Sequence, residues 1–342
     1  MKTRNENIDI IRGFAILLVV LGHTMSGCLT SYSDSMLYQA IWTIQMPLFF
    51  IISGYITRYS KKITNKKLLI SFIGKRTIAY MMPWLVWTII IRGILLNESI
   101  YLDIPYILFH MDSGYWFLAT IWTMSLVFGI SDYLSHKLAN RLFANIVMHI
   151  LFFVLGIAGL ILIGYSYSMD AFAIKFTIYY MPMFLLGYLY GQFQERLHAL
   201  PHVNKIIDSI VAISFILWIL SISKFNFFIA SDNIQFALFR FLVSLLGCVT
   251  IIGLFSSRQI LTSSSKMLTF LGWVGKHSLE IYLTHYLFLV KLPVMETPLL
   301  FSMDGFLTLS INYLLSVSLT IIIIRIISCN NILNYLLYSK RK

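Results

Sequence analysis

Acidic side chains are scarce in this sequence: Asp and Glu together number 14 in 342 residues against 26 Lys and Arg, and charged residues of both signs make up only 12%. A soluble domain carries about twice that share, ~25%. With 58% hydrophobic residues, the chain reads as an integral membrane protein and not as a soluble one with a single anchor. The formal net charge of +12 invites a nucleic-acid reading, which would need a basic face on a soluble surface. Here the cations sit in short loops between apolar runs, where the positive-inside rule explains them. The expected surroundings are therefore a lipid bilayer, with no nucleic-acid partner.

Cysteine is also rare. Cys28, Cys248 and Cys329 are scattered, which excludes a disulfide framework and a CxxC metal pair. No metal-ligand spacing, P-loop, GxGxxG stretch or GxSxG elbow occurs, so a metal centre, a nucleotide-driven pump and a serine hydrolase lack support. No soluble domain, long linker, low-complexity segment or clear internal repeat is visible, and residues 1–342 read as one polytopic domain. Lys2 and Arg4 before the first apolar run, with Ser26-Gly27-Cys28 after it, look like a lipoprotein signal. Met25 fits poorly before such a cleavage site, and the first run is expected to be a retained span.

What the sequence has in abundance is apolar runs. Those long enough to cross a bilayer lie near residues 8–26, 38–57, 77–96, 116–133, 146–165, 172–191, 206–222, 235–255, 278–292 and 305–327, predicting an all-α bundle of about ten transmembrane helices. The ninth is short, and Leu268–Gly275 before it is expected as an interfacial or partly re-entrant helix. Lys2 and Arg4, the dense basic loop from Arg58 to Arg76, Lys137 and Arg141, Arg196 and Lys205, Arg258, Lys266 and Lys276, and the tail Lys340-Arg341-Lys342 fall on one side. The alternate loops carry only Lys224 and, at a span edge, Lys291. Both termini are therefore expected in the cytoplasm. Pro47, Pro83 and Pro182 fall within spans, where neighbouring helices can satisfy the freed carbonyls.

The first run, IDIIRGFAILLVVLGHTMS, carries Arg12 and, eleven residues later, His23. Eleven residues are about three helical turns, so the two share nearly one face and stand roughly 16 Å apart along the axis. Polar groups at such depth usually face a bundle interior or a wet cavity. The blander reading, that Arg12 snorkels to the headgroups and His23 bonds a neighbouring helix, carries equal weight on spacing alone. Asp9, three residues before Arg12, can orient the guanidinium, and His23 can accept and return a proton near neutrality.

In the second run Gln45 is polar, Pro47 kinks, and Ser53-Gly54-Tyr55 brings a small residue for close helix approach followed by an interfacial ring. Trp116 opens the fourth span as an outer aromatic. Arg92 and Arg240, in outer halves of the third and eighth spans, either bind a phosphate or carboxylate or snorkel outward. Glu280 and His285 share the ninth run about 140° apart around a helix, too far for a tight pair.

RGFAILLVVLGH in the first span, PLFFIISGY in the second, WFL opening the fourth and SLEIYLTH in the ninth resemble, in order, the motifs of the membrane acyltransferase-3 family. The likeness is greatest to its fucose 4-O-acetylase-like branch of sugar O-acetyltransferases. The resemblance implies an inner-membrane bundle that takes acetyl from cytosolic acetyl-CoA, its co-substrate, without a metal. The acceptor would be a hydroxyl of a cell-surface glycan such as O-antigen or capsule, or its lipid-linked precursor. The departure from the broader family is the absence of a fused C-terminal esterase-like domain, so the stand-alone form is expected.

In the family's pattern Arg12 and His23 match the essential arginine and histidine. Ser53 and Tyr55 join Arg12 on the donor side, while Trp116, Arg240, Glu280 and His285 fall to the acceptor side. His23 then acts as general base, or through an acetyl-histidine intermediate. Two other readings stand beside this one: a transferase of another acyl group such as succinyl, and a transporter or flippase of a lipid-linked saccharide.

Overall fold

Apolar runs in lipid become helices because no water is available to satisfy backbone N–H and C=O groups. The computed structural model describes residues 6–139, 141–228, 233–256, 265–289, 300 and 302–340; Lys2, Arg4, Arg258, Lys291, Arg341 and Lys342, used above for topology, lie outside them. Thirteen α-helices and no strand occur among the described residues. They are α1 (Glu6–Cys28), α2 (Met36–Ile56), α3 (Lys66–Leu85), α4 (Ile104–Phe109), α5 (Trp116–Leu138), α6 (Leu142–Ser166), α7 (Ile174–His198), α8 (Val203–Lys224), α9 (Ile234–Phe255), α10 (Lys266–Lys276), α11 (Ser278–Thr284), α12 (Met303–Ser328) and α13 (Asn331–Tyr338). Beyond Leu85, α3 continues as a π-helix, Val86–Leu95.

Nine of these helices are long and apolar enough to cross a membrane: α1, α2, α3 with its extension, α5, α6, α7, α8, α9 and α12. They coincide with nine of the ten runs read from the sequence, and the fold is an all-α polytopic bundle. The ninth run, near 278–292, differs. Residues 278–289 form only the seven-residue α11 and a 3₁₀ turn, His285–Phe288, against the ~20 residues a crossing needs; residues 290–292 lie outside the described residues. The stretch 268–275 is the separate helix α10, which ends where His277 leaves helical geometry (φ −108°, ψ 17°). Buried Glu280, Thr284 and His285 give α11 a protein-facing character that a lipid-facing span does not have.

The chain divides into two compact units, residues 1–58 with 183–326 and residues 59–182 with 327–342. In the first, α1 is the central element: Ala15, Ile16 and Val20 are fully buried, and α2, α9, α10 and α11 pack on it. Two crossings are too close for a side chain. A Cβ on Gly13 would overlap the Leu271 carbonyl and one on Gly275 the Asp9 carbonyl; likewise, Gly54 lies on the Phe184 carbonyl and Gly187 on that of Ile51. Small residues let helix backbones meet where lipid supplies no hydrophobic drive for association. In the second unit α5 packs against α3 and α6, Trp122 Nε1 donates to Thr77 Oγ1 at 3.0 Å, and α13 is tied back by Trp87 Nε1 donating to the Leu337 carbonyl at 3.0 Å. Helices α6 and α8 expose most of their apolar surface, as lipid-facing helices do.

Candidate active site

The two polar positions on α1 each meet a different part of the α10–α11 segment. At the Arg12 end, the Gly13–Gly275 crossing sets α10 directly on α1. Half-buried Arg12 therefore sits one residue from a contact that lies two residues before His277. There His277 Nδ1 is 2.9 Å from Glu280 Oε1, and the His277 ring is 4.6 Å from that of Trp273, over which the Arg325 guanidinium lies at 5.3 Å. Glu280 is buried and partnered by His277, not by His285, as the 140° separation implies. The pairing with His277 was not drawn from the sequence, although an i, i+3 spacing signals it.

At the other end, the His23 ring is 5.4 Å from that of His285, tilted by 38°, and 5.6 Å from Tyr286, edge-on. His285 lies in the 3₁₀ turn after α11, with Nδ1 2.9 Å from the Ile281 carbonyl. A carbonyl only accepts, so Nδ1 carries the hydrogen and donates it, and in the neutral ring Nε2 keeps a bare lone pair. That Nε2 is buried without a hydrogen-bond partner. The turn is fixed from outside: Ser316 Oγ donates to the Phe288 carbonyl at 2.6 Å, and Tyr313 Oη donates to the Leu17 carbonyl at 3.3 Å, tying α12 to α1.

Beside this pair, Gln45 Oε1 on α2 would lie 3.3 Å from a Cβ at Gly22, and it too is a buried acceptor without a donor. A buried polar atom left unpaired costs about 1–3 kcal/mol, so such atoms mark positions where a donor is useful. The sequence marks Gln45 as polar without assigning it a role, and Tyr286, the residue after the SLEIYLTH stretch, was not singled out.

The other expected site residues fall as follows. Tyr55 Oη donates to Gln194 Oε1 at 2.6 Å, an oxygen that also accepts from Arg58 Nη1. Arg58 pairs with Glu195 at 2.8 Å and lies 5.7 Å over the Tyr55 ring. Ser53, half-buried, precedes the Gly54 crossing, so Ser53-Gly54-Tyr55 is assembled on α7. Arg240 is half-buried on α9. Arg92 is held by Glu98 Oε2, with Nε at 3.1 Å and Nη2 at 2.7 Å, so its guanidinium is committed to an ion pair.

Trp116 belongs to the second unit, stacked on Phe176 at 4.3 Å and Tyr180 at 5.8 Å. In the loop before it, desolvation and then the Asp170 carboxyl hold the Asp112 carboxyl above the ordinary aspartate range. No group of three His, Cys, Asp or Glu placed to hold a metal occurs among the described residues.

Comparison with known proteins bears on what this arrangement serves. The chain is similar to nodulation protein NolL of Sinorhizobium fredii, 32% identical over 98 residues, which is 27% of this chain and 25% of that protein. It is also similar to nodulation protein NolL of Mesorhizobium japonicum, 29% identical over 94 residues, 26% and 24% of the two chains. The chain thus spans about a quarter of the length of these curated relatives. No solved structure matches it. The model of the acyltransferase-3 family, described as an acyltransferase domain, matches residues 5–329. With that match over nearly its whole length, the chain belongs to the acyltransferase-3 family, and nine helices among its described residues are long and apolar enough to cross a membrane.

Proposed function

We propose that this protein is an inner-membrane O-acetyltransferase that moves acetyl from cytosolic acetyl-CoA to a hydroxyl of a cell-surface glycan or its lipid-linked precursor. The observation that carries the reading is the imidazole pair: His23 beside His285, whose Nδ1 is fixed by the Ile281 carbonyl and whose Nε2 is a bare, buried acceptor.

His23 takes the proton from the sugar hydroxyl as its oxygen attacks the thioester carbonyl carbon. The C–O bond forms, the C–S bond breaks, and the departing thiolate recovers the proton from the His23 imidazolium. The His285 ring lies 5.4 Å from His23 in a buried, water-poor surrounding, where a preorganised acceptor has most effect. At the other end of α1, Arg12 offers a guanidinium for the donor's phosphates, with Ser53 and Tyr55 on the same side of the reaction. An anionic donor fits half-buried Arg12, whereas Arg58 is held by Glu195 and Gln194. Within the second unit, Trp116 with its stacked neighbours Phe176 and Tyr180 offers a flat apolar face.

The test is mass spectrometry of the host's surface glycan from a strain lacking the gene, complemented with the wild-type gene or with His23→Ala. An acetyl mass increment that returns with the wild type and not with His23→Ala supports the reading. Unmodified glycan precursor accumulating in the deletion strain, with no change in acetylation, points instead to a transporter.

A further inference from the structure

Two contacts fix how the α10–α11 segment lies against α1. Gly13 meets Gly275, and ten residues further along each chain His23 meets His285. The two segments therefore run parallel and in step, which puts the break at His277 level with Ala15 and Glu280 level with Leu18. At 1.5 Å per residue, His277 stands about 4–5 Å beyond Arg12 along the axis and about 12 Å short of His23. It occupies the interval between the two polar ends of α1.

A broken helix at membrane depth persists only where it is buried in protein or lines a wet cavity. This break carries polar groups. His277 closes α10 by donating its N–H to the Val274 carbonyl at 3.1 Å, and its Nδ1 lies 2.9 Å from Oε1 of buried Glu280. The carboxylate accepts from Nδ1, so Nε2 lies on the far edge of the ring. No bond to Nε2 is formed among the described residues. Trp273 packs against the imidazole at 4.6 Å, and the Arg325 guanidinium lies over that indole at 5.3 Å. The His277 side chain is nevertheless 28% exposed. An open polar edge at this depth belongs to a wet or ligand-filled space, because lipid disfavours it.

We propose that His277 positions the acyl donor: Nε2 hydrogen-bonds the amide-bearing arm that joins the donor's phosphates to its thioester. Glu280 is a positioning residue that acts through His277 by fixing its tautomer. The inference rests on the acetyl-CoA reading above. A donor with its phosphates at Arg12 and its thioester at His23 must lay that arm past His277, and a buried amide or hydroxyl without a partner is costly. Since His277 is nearer Arg12 than His23, it meets the part of the arm remote from the thioester.

The test shortens the donor. Membranes from the deletion strain carrying each variant are supplied with labelled acetyl-CoA, with acetyl-pantetheine, or with S-acetyl-N-acetylcysteamine. The second keeps the arm without phosphates; the third keeps only the thioester and its nearest amide. His277→Phe is combined with Glu280→Gln, so that a ring remains on Trp273 and no carboxylate is buried without its imidazole. This double variant is expected to lower kcat/KM about three- to tenfold with the first two donors, the value of one hydrogen bond, and less than about twofold with the third. Arg12→Ala is expected to act on acetyl-CoA alone, and His23→Ala on all three.

A binding readout stands beside the kinetic one. In calorimetric titrations of purified full-length protein, the double variant is expected to bind coenzyme A about three- to tenfold more weakly than wild type. Its affinity for 3′,5′-adenosine bisphosphate, which has phosphates and no arm, is expected to change less than about twofold. Equal losses with all three donors, equal weakening of both ligands, or no loss with coenzyme A and its acetyl ester overturns the proposal alone. Where wild type uses the shortened donors too slowly to rate, the two affinities decide. Wild type that neither binds coenzyme A nor transfers from any of the donors overturns the acetyl-CoA reading, and the proposal with it.

Discussion

Each unit buries a histidine, and the two sit in different surroundings. His149 in the second unit has no exposure; its ring lies 5.0 Å from Phe128 and 6.1 Å from Phe153, and its Nδ1 is 3.9 Å from Asp132 Oδ1. His285 in the first unit is almost as buried, but it has one nitrogen fixed on a carbonyl and the other bare, beside a second imidazole on α1. Burial is therefore a poor marker of chemistry. His285 also lies among rings, Tyr282 at 6.2 Å and Tyr286 at 6.1 Å, so what sets it apart is its fixed tautomer and the second imidazole beside it, an arrangement suited to handling a proton.

The strongest break in this comparison is expected at His23. His23→Ala lowers acetyl transfer in isolated membranes by about 10²–10⁴-fold, the usual value of a general base, with the protein still present at wild-type level on immunoblots. His285→Gln, which keeps an acceptor in a less suitable place, is expected to lower kcat by about tenfold or more with little change in donor KM, the signature of an interaction made in the transition state. Arg12→Ala is expected to act mainly on donor KM, raising it by roughly tenfold through loss of a charged contact, as measured by initial rates at varied acetyl-CoA. By contrast, His149→Phe should leave the transfer rate within about twofold and shift stability by no more than ~1–2 kcal/mol, since it exchanges a packed ring for a packed ring.

The smallest effect concerns Asp112. Its carboxyl is raised by desolvation and by Asp170, so the folded protein holds that proton more tightly than the unfolded chain does. The associated stability is present at low pH and is lost as pH rises through the raised value. Asp112→Asn should therefore raise Tm at neutral pH and have less effect near pH ~4, in the ordinary aspartate range.

Much of the architecture was legible from the sequence because lipid imposes so strict a rule on the backbone: nine apolar runs became helices, although α3 begins at Lys66, well ahead of the run read from 77, and α7 continues to His198, past 191. Gly54 was also readable as a close-approach residue, and it does meet the backbone of α7. The ninth run misled because apolar content reports burial without saying in what. Glu280, Thr284 and His285 are buried in protein, and the described helix covers only Ser278–Thr284.

Periodicity placed Arg12 and His23 on one face of α1 but was silent on their partners. The approach of His285 to His23 depends on the Gly13–Gly275 crossing and on the break at His277, which are tertiary facts. Glu280 was singled out without His277, the residue that holds it, since attention fell on the spacing to His285. Asp132 and its link to Ile63 were missed because a lone aspartate near a helix end reads as a solvated charge until the chain folds the basic segment onto it.

The claim at the centre of this account is that His23 and His285 act as one unit. It is tested most directly by a double-mutant cycle on acetyl transfer with His23→Ala, His285→Ala and the double variant reconstituted in vesicles at equal amounts. Residues that act together are non-additive, so the account predicts that the double variant is no slower than His23→Ala alone. Losses that multiply, with the double variant slower by the full product of the two single effects, would contradict it.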